Sequence, residues 1–239
     1  MAVTDERWQA AQRSEMDFWS AEGFLFASFC AVIEPSMWTA AWAAPHLAAP
    51  VGDWLEIGVG PLGVGCMHFL PRAGELHTLD PLKPVSVDRW QIPEPCKALA
   101  RRCQEETSVA HVSRAESIDL PDGAFSVVAL HNVLDHVQDP AAVLREVRRV
   151  LKPGGQLLLA VDTFSALGRL KFQLITRRVA RDSILVRAHP RRLSAGAVRR
   201  LVAGAGFRVL QADPPTRIVA AVGQSYRLRL IAATVQLDV

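Results

Sequence analysis

A glycine-rich turn that directly follows a short apolar run constrains the fold of this chain more than any other feature. Residues 54–57 (WLEI) predict a strand, and residues 58–63 (GVGPLG) come immediately after it. Glycines allow a tight turn at this point and let a ligand approach the backbone. The amide groups of a helix that follows such a turn point towards the bound ligand. The pattern therefore predicts a ligand-binding strand–turn–helix unit.

Strands and helices alternate through the rest of the middle of the chain. Further strands are predicted at residues 75–80, 109–112, 125–131 and 156–161, and the last two of these are expected to be buried. Asp139 and Pro140 are suited to the N-cap and the first position of a helix between the last two strands. Residues 152–155 (KPGG) end that helix. This alternation is typical of βαβ units and a mostly parallel sheet.

The C-terminal part predicts a last helix and two last strands. The helix starts at Ser194 and ends at Gly206, and the strands are expected at residues 207–212 and 226–235. In the final strand Leu228 and Leu230 alternate with arginines, which favours an antiparallel strand with one wetter face. We therefore expect an α/β fold: a doubly wound, mostly parallel seven-stranded sheet with an antiparallel last strand. An N-terminal helical extension and a cap segment would be added to it.

Composition and charge narrow the function classes. The chain has 239 residues, of which 50% are hydrophobic and 21% charged, with a net charge of only +3. So small a charge gives no reason to expect a nucleic-acid partner. The charged first fifteen residues do not resemble a signal peptide, and Glu34 and Pro35 interrupt an alanine-rich stretch that would otherwise suggest a membrane span. We expect a cytoplasmic protein without a membrane span or a disulfide framework.

Two acidic residues flank the glycine turn. Asp80 ends the second strand at about the spacing, roughly 20 residues, at which a carboxylate accepts hydrogen bonds from ribose hydroxyls. The alternative is that Asp80 only caps a turn before Pro81. NAD-binding proteins share this spacing, so it does not identify the cofactor. Glu56 is a carboxylate inside an apolar strand, which is costly unless it meets a donor or a positive charge.

Six sequence blocks in this order carry a resemblance to a known family. They are EIGVGPLG (56–63), LDP (79–81), LPDGAFSVV (120–128), HNVLDHVQDP (131–140), REVRRVLKPGGQLLLAV (145–161) and AGF (205–207). Through them the chain resembles the class I S-adenosylmethionine-dependent methyltransferases, in particular those that act on small molecules. The resemblance covers residues 56–207. It implies S-adenosylmethionine as the cofactor and S-adenosylhomocysteine as the product.

The resemblance also assigns cofactor-binding roles. It places Glu56, Gly58, Gly60, Pro61 and Gly63 at the methionine end, Asp80 and Pro81 at the ribose, and Ala115 and Glu116 at the adenine, with Val133 as a further cofactor-binding residue. Because the ligand of a doubly wound sheet lies beyond the carboxyl ends of the strands, His131, Asn132 and His136 are expected next to the reactive methyl group and in contact with the cofactor. Two residues depart from the family pattern. Arg114 stands where an acid usually binds adenine, so either Glu116 replaces that acid or the Ala115 amide acts with a bridging water. Ser126 stands where Asp is usual, and we expect it to be structural.

Catalysis in this family is mainly alignment of three atoms. Methyl transfer is an in-line displacement, so a base is needed only if the accepting atom must lose a proton. His131 is our candidate base or substrate orienter, because histidine titrates near neutrality; the alternative is that it only packs under the cofactor. We expect a structural or cofactor-side role for His136. His189 is a second catalytic candidate, in a segment that resembles a lid. No carboxylate cluster follows the fourth strand, so no metal site is expected.

Residues 162–192 combine basic and apolar side chains and predict an amphipathic cap. With the N-terminal helix, the cap would cover the acceptor, and its arginines, among them Arg177 and Arg178, would favour an acidic one. The alternative is a solvated charged face. We expect a single domain: residues 1–50 a helical extension, 51–161 the cofactor-binding half, 162–192 the cap, and 193–239 the last helix and strand pair.

Three functions are compatible with these features. The leading hypothesis is methyl transfer to a small or medium-sized acceptor, with the accepting atom, the substrate and the oligomeric state left open. A nicotinamide-dependent oxidoreductase would explain the glycine turn and Asp80 but neither Glu56 nor the downstream blocks. A protein that keeps the cofactor pocket for regulation or another reaction is the third hypothesis, and Arg114 is the residue that supports it.

Overall fold

Seven strands form one sheet within the part of the chain that the structure describes. The computed structural model describes residues 3–20, 24–48, 51–168, 170, 191–213 and 225–235. The strands are β1 (Trp54–Ile57), β2 (Leu76–Asp80), β3 (Val109–Val112), β4 (Phe125–His131), β5 (Leu151–Phe164), β6 (Phe207–Asp213) and β7 (Ser225–Thr234). The helices are α1 (Asp5–Phe18), α2 (Phe26–Ala43), α3 (Glu94–Glu106), α4 (Pro140–Val150) and α5 (Ala195–Gly204).

The strand order is β3-β2-β1-β4-β5-β7-β6. The first five of these strands pair in parallel, whereas β7 is antiparallel to both β5 and β6. The predicted doubly wound sheet with an antiparallel last strand is thereby confirmed. β5 begins at Leu151 rather than at Gln156, because Leu151 pairs with Phe125 before an irregularity in the ladder. The glycine pair Gly154 and Gly155, which the sequence predicted to end the helix, lies between Leu151 and Gln156 within β5, and α4 itself ends at Val150.

β4 reads as a continuous apolar run because both faces of the sheet are covered. Val128 and Leu130 belong to a buried cluster on the face that α4 and α5 cover. Val127 and Ala129 belong to a second cluster, on the opposite face, with residues of α2. A parallel strand covered on both faces has no polar side, which explains why the sequence shows no alternation here.

α4 begins and packs as the sequence predicts. The Asp139 side chain accepts a hydrogen bond from the Ala141 amide at 2.9 Å, and Pro140 occupies the first helical position. Val143, Leu144 and Val147 are fully buried against the sheet. Each such side chain contributes about 1.5–3 kcal/mol by leaving water. The loop that leads to α4 begins at the carboxyl end of β4, and this packing of α4 holds that end of the strand in place.

The N-terminal extension is helical, as predicted, and packs on the chain through aromatic side chains. Phe24 lies between Trp19 and Trp90, with ring centroids 4.7 and 4.8 Å apart. The indole Nε1 of Trp90 donates to the Trp19 carbonyl at 3.1 Å. This aromatic cluster fixes the C-terminal end of α1 beside the glycine turn.

Cys30, Cys66, Cys96 and Cys103 are free thiols in the structure. Among the described residues, no helix combines the length and the apolar character that crossing a membrane requires.

Candidate active site

A cavity of about 380 Å³ lies at the carboxyl ends of the parallel strands. Ligands of doubly wound sheets bind at this edge, outside the strand ends. Its walls come from the loops after β1, β2, β3 and β4, from one face each of α1 and α2, and from Arg227 of β7. The sequence-predicted residues that line it are Glu56, Gly58, Gly60, Asp80, Pro81, Ala115, Glu116, His131, Asn132, Val133 and His136. The cavity therefore collects side chains that are far apart in the sequence.

The glycine turn forms one wall of the cavity and tolerates no side chain at two positions. Gly58 and Gly60 have φ of 86° and 62°, in the region that favours glycine. A Cβ atom at Gly58 would lie 2.3 Å from Val133 Cγ2, and one at Gly60 would lie 2.8 Å from the Trp19 ring. Pro61 and Gly63 complete the turn but are not part of the cavity wall.

Glu56 is buried and bound to the backbone of the segment after the turn. Its two carboxylate oxygens accept hydrogen bonds from the amides of Cys66 at 2.7 Å and Met67 at 2.8 Å. Burial raises the pKa of this carboxyl, and the two amide hydrogen bonds oppose that rise. A Cβ at Gly65 would lie 2.1 Å from the Glu56 carboxyl carbon. The donors that a buried carboxylate requires are thus supplied by the chain itself, and Glu56 anchors the loop as well as lining the cavity.

Asp80 both caps a turn and lines the cavity, so the two alternatives for this residue are not exclusive. Its Oδ1 accepts from the Leu82 amide and its Oδ2 from the Gly60 amide, each at 2.8 Å. Burial raises the pKa of Asp80 to about 6, against the opposing effect of these hydrogen bonds. The side chain is therefore mainly ionised at neutral pH, and a carboxylate oxygen with one hydrogen bond can accept another.

Arg114 stacks on an aromatic ring of the N-terminal helix. Its guanidinium lies 4.0 Å from the centroid of the Trp8 ring, and its Nε lies 3.7 Å from Glu116 Oε2. The other oxygen of Glu116 accepts from the Gln138 amide at 2.8 Å. The position where the family pattern has an acid thus holds a cation that pairs with the neighbouring Glu116 and binds α1 to this end of the cavity.

His136 connects α1 to the loop after β4. Its Nδ1 lies 3.2 Å from Glu15 Oε1 and its Nε2 lies 3.7 Å from Asp135 Oδ2. Burial alone would lower the pKa of His136, but Asp135, Glu15 and Asp80 outweigh it and raise the pKa to about 9. The imidazole is therefore charged at neutral pH. Its positive charge is balanced by the carboxylates of Glu15 in α1 and Asp135 in the loop after β4.

His131 lies at the carboxyl end of β4 and has the opposite protonation state. Burial, and then the Arg227 cation, lower the pKa of His131 to about 3. The base role predicted for His131 assumed a titration range near neutrality, and this low pKa disfavours it. A neutral ring with so low a pKa is a poor proton acceptor, which favours the alternative that His131 orients the acceptor.

Sequence reasoning missed Arg227, which it assigned to a solvated face of β7. Arg227 Nε lies 3.0 Å from Asp162 Oδ1, and its Nη2 lies 3.2 Å from Oδ2. Its Nη1 lies 3.4 Å from His131 Nε2. The signal available in the sequence was only the arginine alternation in the last strand, and nothing local indicated that this strand lies beside β5.

Asn132 completes this group in a strained backbone conformation. It is the one non-glycine residue with positive φ, 60°, among those that the structure describes. Such conformations persist where the surroundings impose them and are concentrated at functional sites. The Nδ2 atom of Asn132 lies 3.3 Å from His136 Nε2, and its Oδ1 atom lies 3.5 Å from Arg227 Nη2.

Several predicted features fall outside the described residues. They include His189, Arg177 and Arg178, together with most of the predicted cap, so their roles stay predictions. Arg191 is described and donates through Nε to the Val137 carbonyl at 3.1 Å. Ser126, where the family pattern has Asp, donates to the Val51 carbonyl at 3.0 Å, which is consistent with the structural role that we expected.

Comparison with known proteins relates the middle of the chain to one family. Residues 55–159 match the methyltransferase domain family. The ubiquinone biosynthesis O-methyltransferase of Pseudomonas aeruginosa (strain LESB58) is 30% identical over 112 residues, which are 45% of this chain and 48% of that protein. The chain spans between 35% and 48% of the length of such curated relatives.

Solved structures share the fold over more of the chain. The 1,6-didemethyltoxoflavin-N1-methyltransferase of Burkholderia thailandensis, bound to 1,6-didemethyltoxoflavin and S-adenosylhomocysteine, is similar over 99% of this chain and 92% of that one, with a TM-score of 0.63 and 17% identity. The [4+2]-cyclase SpnF is similar over 83% of this chain and 80% of that one, with a TM-score of 0.54 and 18% identity. At these identities the likeness concerns the fold alone.

Proposed function

We propose that the chain, whose residues 55–159 match the methyltransferase domain family, is a class I S-adenosylmethionine-dependent methyltransferase that transfers a methyl group from this cofactor to a small or medium-sized acceptor by in-line displacement. The observation that supports this most is a single cavity that joins the glycine turn and Asp80 at one end to His131 and Arg227 at the other. In-line transfer needs donor and acceptor in one enclosed space, because catalysis depends on their alignment.

The residues of the first end fit the cofactor. Asp80 has an anionic carboxylate with capacity to accept from ribose hydroxyls, and Gly58 and Gly60 leave room where a side chain would clash with its neighbours. We assign the adenine end to Ala115 and Glu116 with Trp8 and Arg114. When bound, the cofactor supplies a methyl group on a positively charged sulfur, which is already an activated leaving group.

The chain's own contribution is enclosure and orientation. Trp8, Phe18 and Trp19 of the N-terminal segment line the cavity, and we propose that their rings limit its contact with water. The partly buried contact between Glu15 and His136 holds α1 in place over the cofactor end. Less water in the site would strengthen the electrostatic interactions inside it. We propose a cytoplasmic location for the chain and no nucleic-acid partner.

The other two functions make different use of the same cavity. SpnF, a [4+2]-cyclase by its name, has a similar fold, which favours a non-methylating reaction as the second candidate. The nicotinamide-dependent alternative is disfavoured by the sheet, since the usual dinucleotide-binding order is 3-2-1-4-5-6, without an antiparallel strand inserted before strand 6.

Calorimetric titration separates the three. We expect the purified chain to bind S-adenosylmethionine and S-adenosylhomocysteine and not NAD or NADH. Asp80→Asn should weaken the binding of both about ten- to a hundredfold, because hydrogen bonds to a charged group are worth about 1.5–3 kcal/mol. The exposed Asp119→Asn is the matched control and should bind normally. Preference for NAD(H) would overturn the proposal, and tight cofactor binding without methyl transfer to any pool of small acceptors would favour the second candidate.

A further inference from the structure

The end of the cavity opposite Asp80 has a chemistry of its own. It is lined by Ser36 of α2, His131 at the end of β4, Asn132 directly after it, and Arg227 of β7. In the sheet, β4, β5 and β7 lie on one side of β1, and β2, which carries Asp80, lies on the other. This second end is therefore where an acceptor would meet the methyl group of a cofactor held by the glycine turn and Asp80.

Arg227 is held rigidly at this end by two neighbouring strands. It pairs across the β5–β7 ladder with Asp162, whose two oxygens bind its Nε and Nη2 at 3.0 and 3.2 Å. Its Nη1 lies 3.4 Å from His131 Nε2, and among the described residues this is the one hydrogen-bonding contact of Nη1. A guanidinium carries five N–H groups in a fixed fork, so an ordered Arg227 keeps donor capacity on the side that faces the cavity.

The contacts of His131 leave it without a proton-accepting role. Arginine can only donate hydrogen bonds, so the nitrogen of His131 that faces Nη1 must be the accepting one. Its other nitrogen, Nδ1, lies 3.5 Å from Ser36 Oγ, which itself donates to the Val32 carbonyl at 3.0 Å. Together with its low pKa, this arrangement makes His131 a neutral support for Arg227 rather than a base.

A cation whose neighbour in the cavity wall, His131, does not serve as a base suits an acceptor that arrives deprotonated. Resting on the methyl transfer proposed above, we propose that Arg227 binds the acceptor as an oxyanion, a phenolate, an enolate or a carboxylate, and that this oxygen receives the methyl group. The acceptor's proton goes to solvent before binding. An oxygen–carbon bond then forms as the carbon–sulfur bond of the donor breaks, and the anionic oxygen and the cationic sulfur both become neutral.

Asp162 competes with such an oxyanion, and this competition makes the proposal testable. Asp162 from β5 and the neutral His131 from β4 are the titratable groups in contact with Arg227 among the described residues. Removing the carboxylate with Asp162→Asn should free the cation and strengthen oxyanion binding. If Arg227 and Asp162 were only a structural pair, the variants Asp162→Asn and Arg227→Gln would each lower the stability of the chain. Neither variant would then change the preference for the anionic form of a ligand.

The probe is 4-nitrophenol, whose phenolate absorbs in the visible, titrated into the protein saturated with S-adenosylhomocysteine. We expect phenolate to bind at least tenfold more tightly than the neutral phenol, so that the bound probe ionises about one pH unit below the free one. Arg227→Gln should abolish this preference, Arg227→Lys should retain part of it, and Asp162→Asn should increase it severalfold. The exposed Arg208→Gln on β6 is the matched control and should match the wild type.

The outcomes separate this inference from the function on which it rests. An unchanged preference in Arg227→Gln would overturn the inference, as would equal binding of the two forms by the wild type. A complex with S-adenosylhomocysteine that forms normally but binds neither 4-nitrophenolate nor 4-nitrobenzoate would overturn it too, and would leave methyl transfer intact. Failure to bind S-adenosylhomocysteine at all would instead count against the proposed function.

Discussion

Burial of the ionised Asp80 carboxylate lowers the free energy of unfolding, and the Asp80→Asn variant measures by how much. Burial raises the pKa of this carboxyl from 3.8 to about 6. A shift of about 2 units corresponds to about 3 kcal/mol. Because the folded pKa lies above the unfolded one, the folded chain binds more protons between these two values. The free energy of unfolding therefore falls as pH rises, by about 3 kcal/mol in total between about pH 4 and pH 6.

The assay is urea unfolding followed by tryptophan fluorescence at several pH values from 4 to 7.5. The difference between the wild type and Asp80→Asn isolates the titration of Asp80, since constant effects of the substitution on hydrogen bonding do not change with pH. We expect this difference to move by about 3 kcal/mol in favour of the variant as pH rises. The exposed Asp119→Asn serves as the control, and its curve should stay parallel to that of the wild type.

The same ionisation links stability to cofactor binding. A ribose hydroxyl donates more strongly to a carboxylate than to a carboxylic acid, so the wild type should bind S-adenosylhomocysteine more tightly above about pH 6 than below it. A pH-independent difference in stability between wild type and Asp80→Asn would refute the argument, because it would mean that burial does not disfavour the charged form.

Three further predictions concern the turn, the N-terminal helix and the core. Gly60→Ala should destabilise the chain by about 1–3 kcal/mol and weaken cofactor binding in calorimetry, since φ is 62° and the new Cβ would lie 2.8 Å from the Trp19 ring; unaltered affinity would contradict the assignment of the turn. Glu15→Gln should lower the pKa of His136 from about 9, because Glu15 is one of the charges that keep His136 protonated, and NMR titration of the ring measures this change. The same variant should speed cofactor release. An unchanged pKa would show that α1 does not hold this histidine. Leu144→Ala should cost about 2–5 kcal/mol in urea unfolding because the side chain is fully buried in α4, and should leave cofactor affinity at temperatures below the transition unchanged.

Local signals in the sequence were sufficient for the elements that build the cofactor end. The Asp139–Pro140 start of α4, the apolar β4 and the glycine turn each depend on covalent geometry or on short-range periodicity, and each is found where the sequence predicted it. Asp80 followed from its distance along the chain to the turn. Glu56 was identified as a buried carboxylate in need of donors, although those donors, the amides of Cys66 and Met67, became known only from the fold.

The acceptor end depended on contacts between residues far apart in sequence. His131 and Arg227 are separated by 96 positions, and the insertion of β7 beside β5 brings them within 3.4 Å. The pKa of an imidazole is decided by burial and by nearby charge, and neither can be read from neighbouring residues. The sequence by itself therefore determined the sheet, the glycine turn and the resemblance to the methyltransferase family that residues 55–159 match. Only the tertiary structure decided that His131 is neutral and that an arginine from the last strand faces the cavity, because both follow from packing between distant segments.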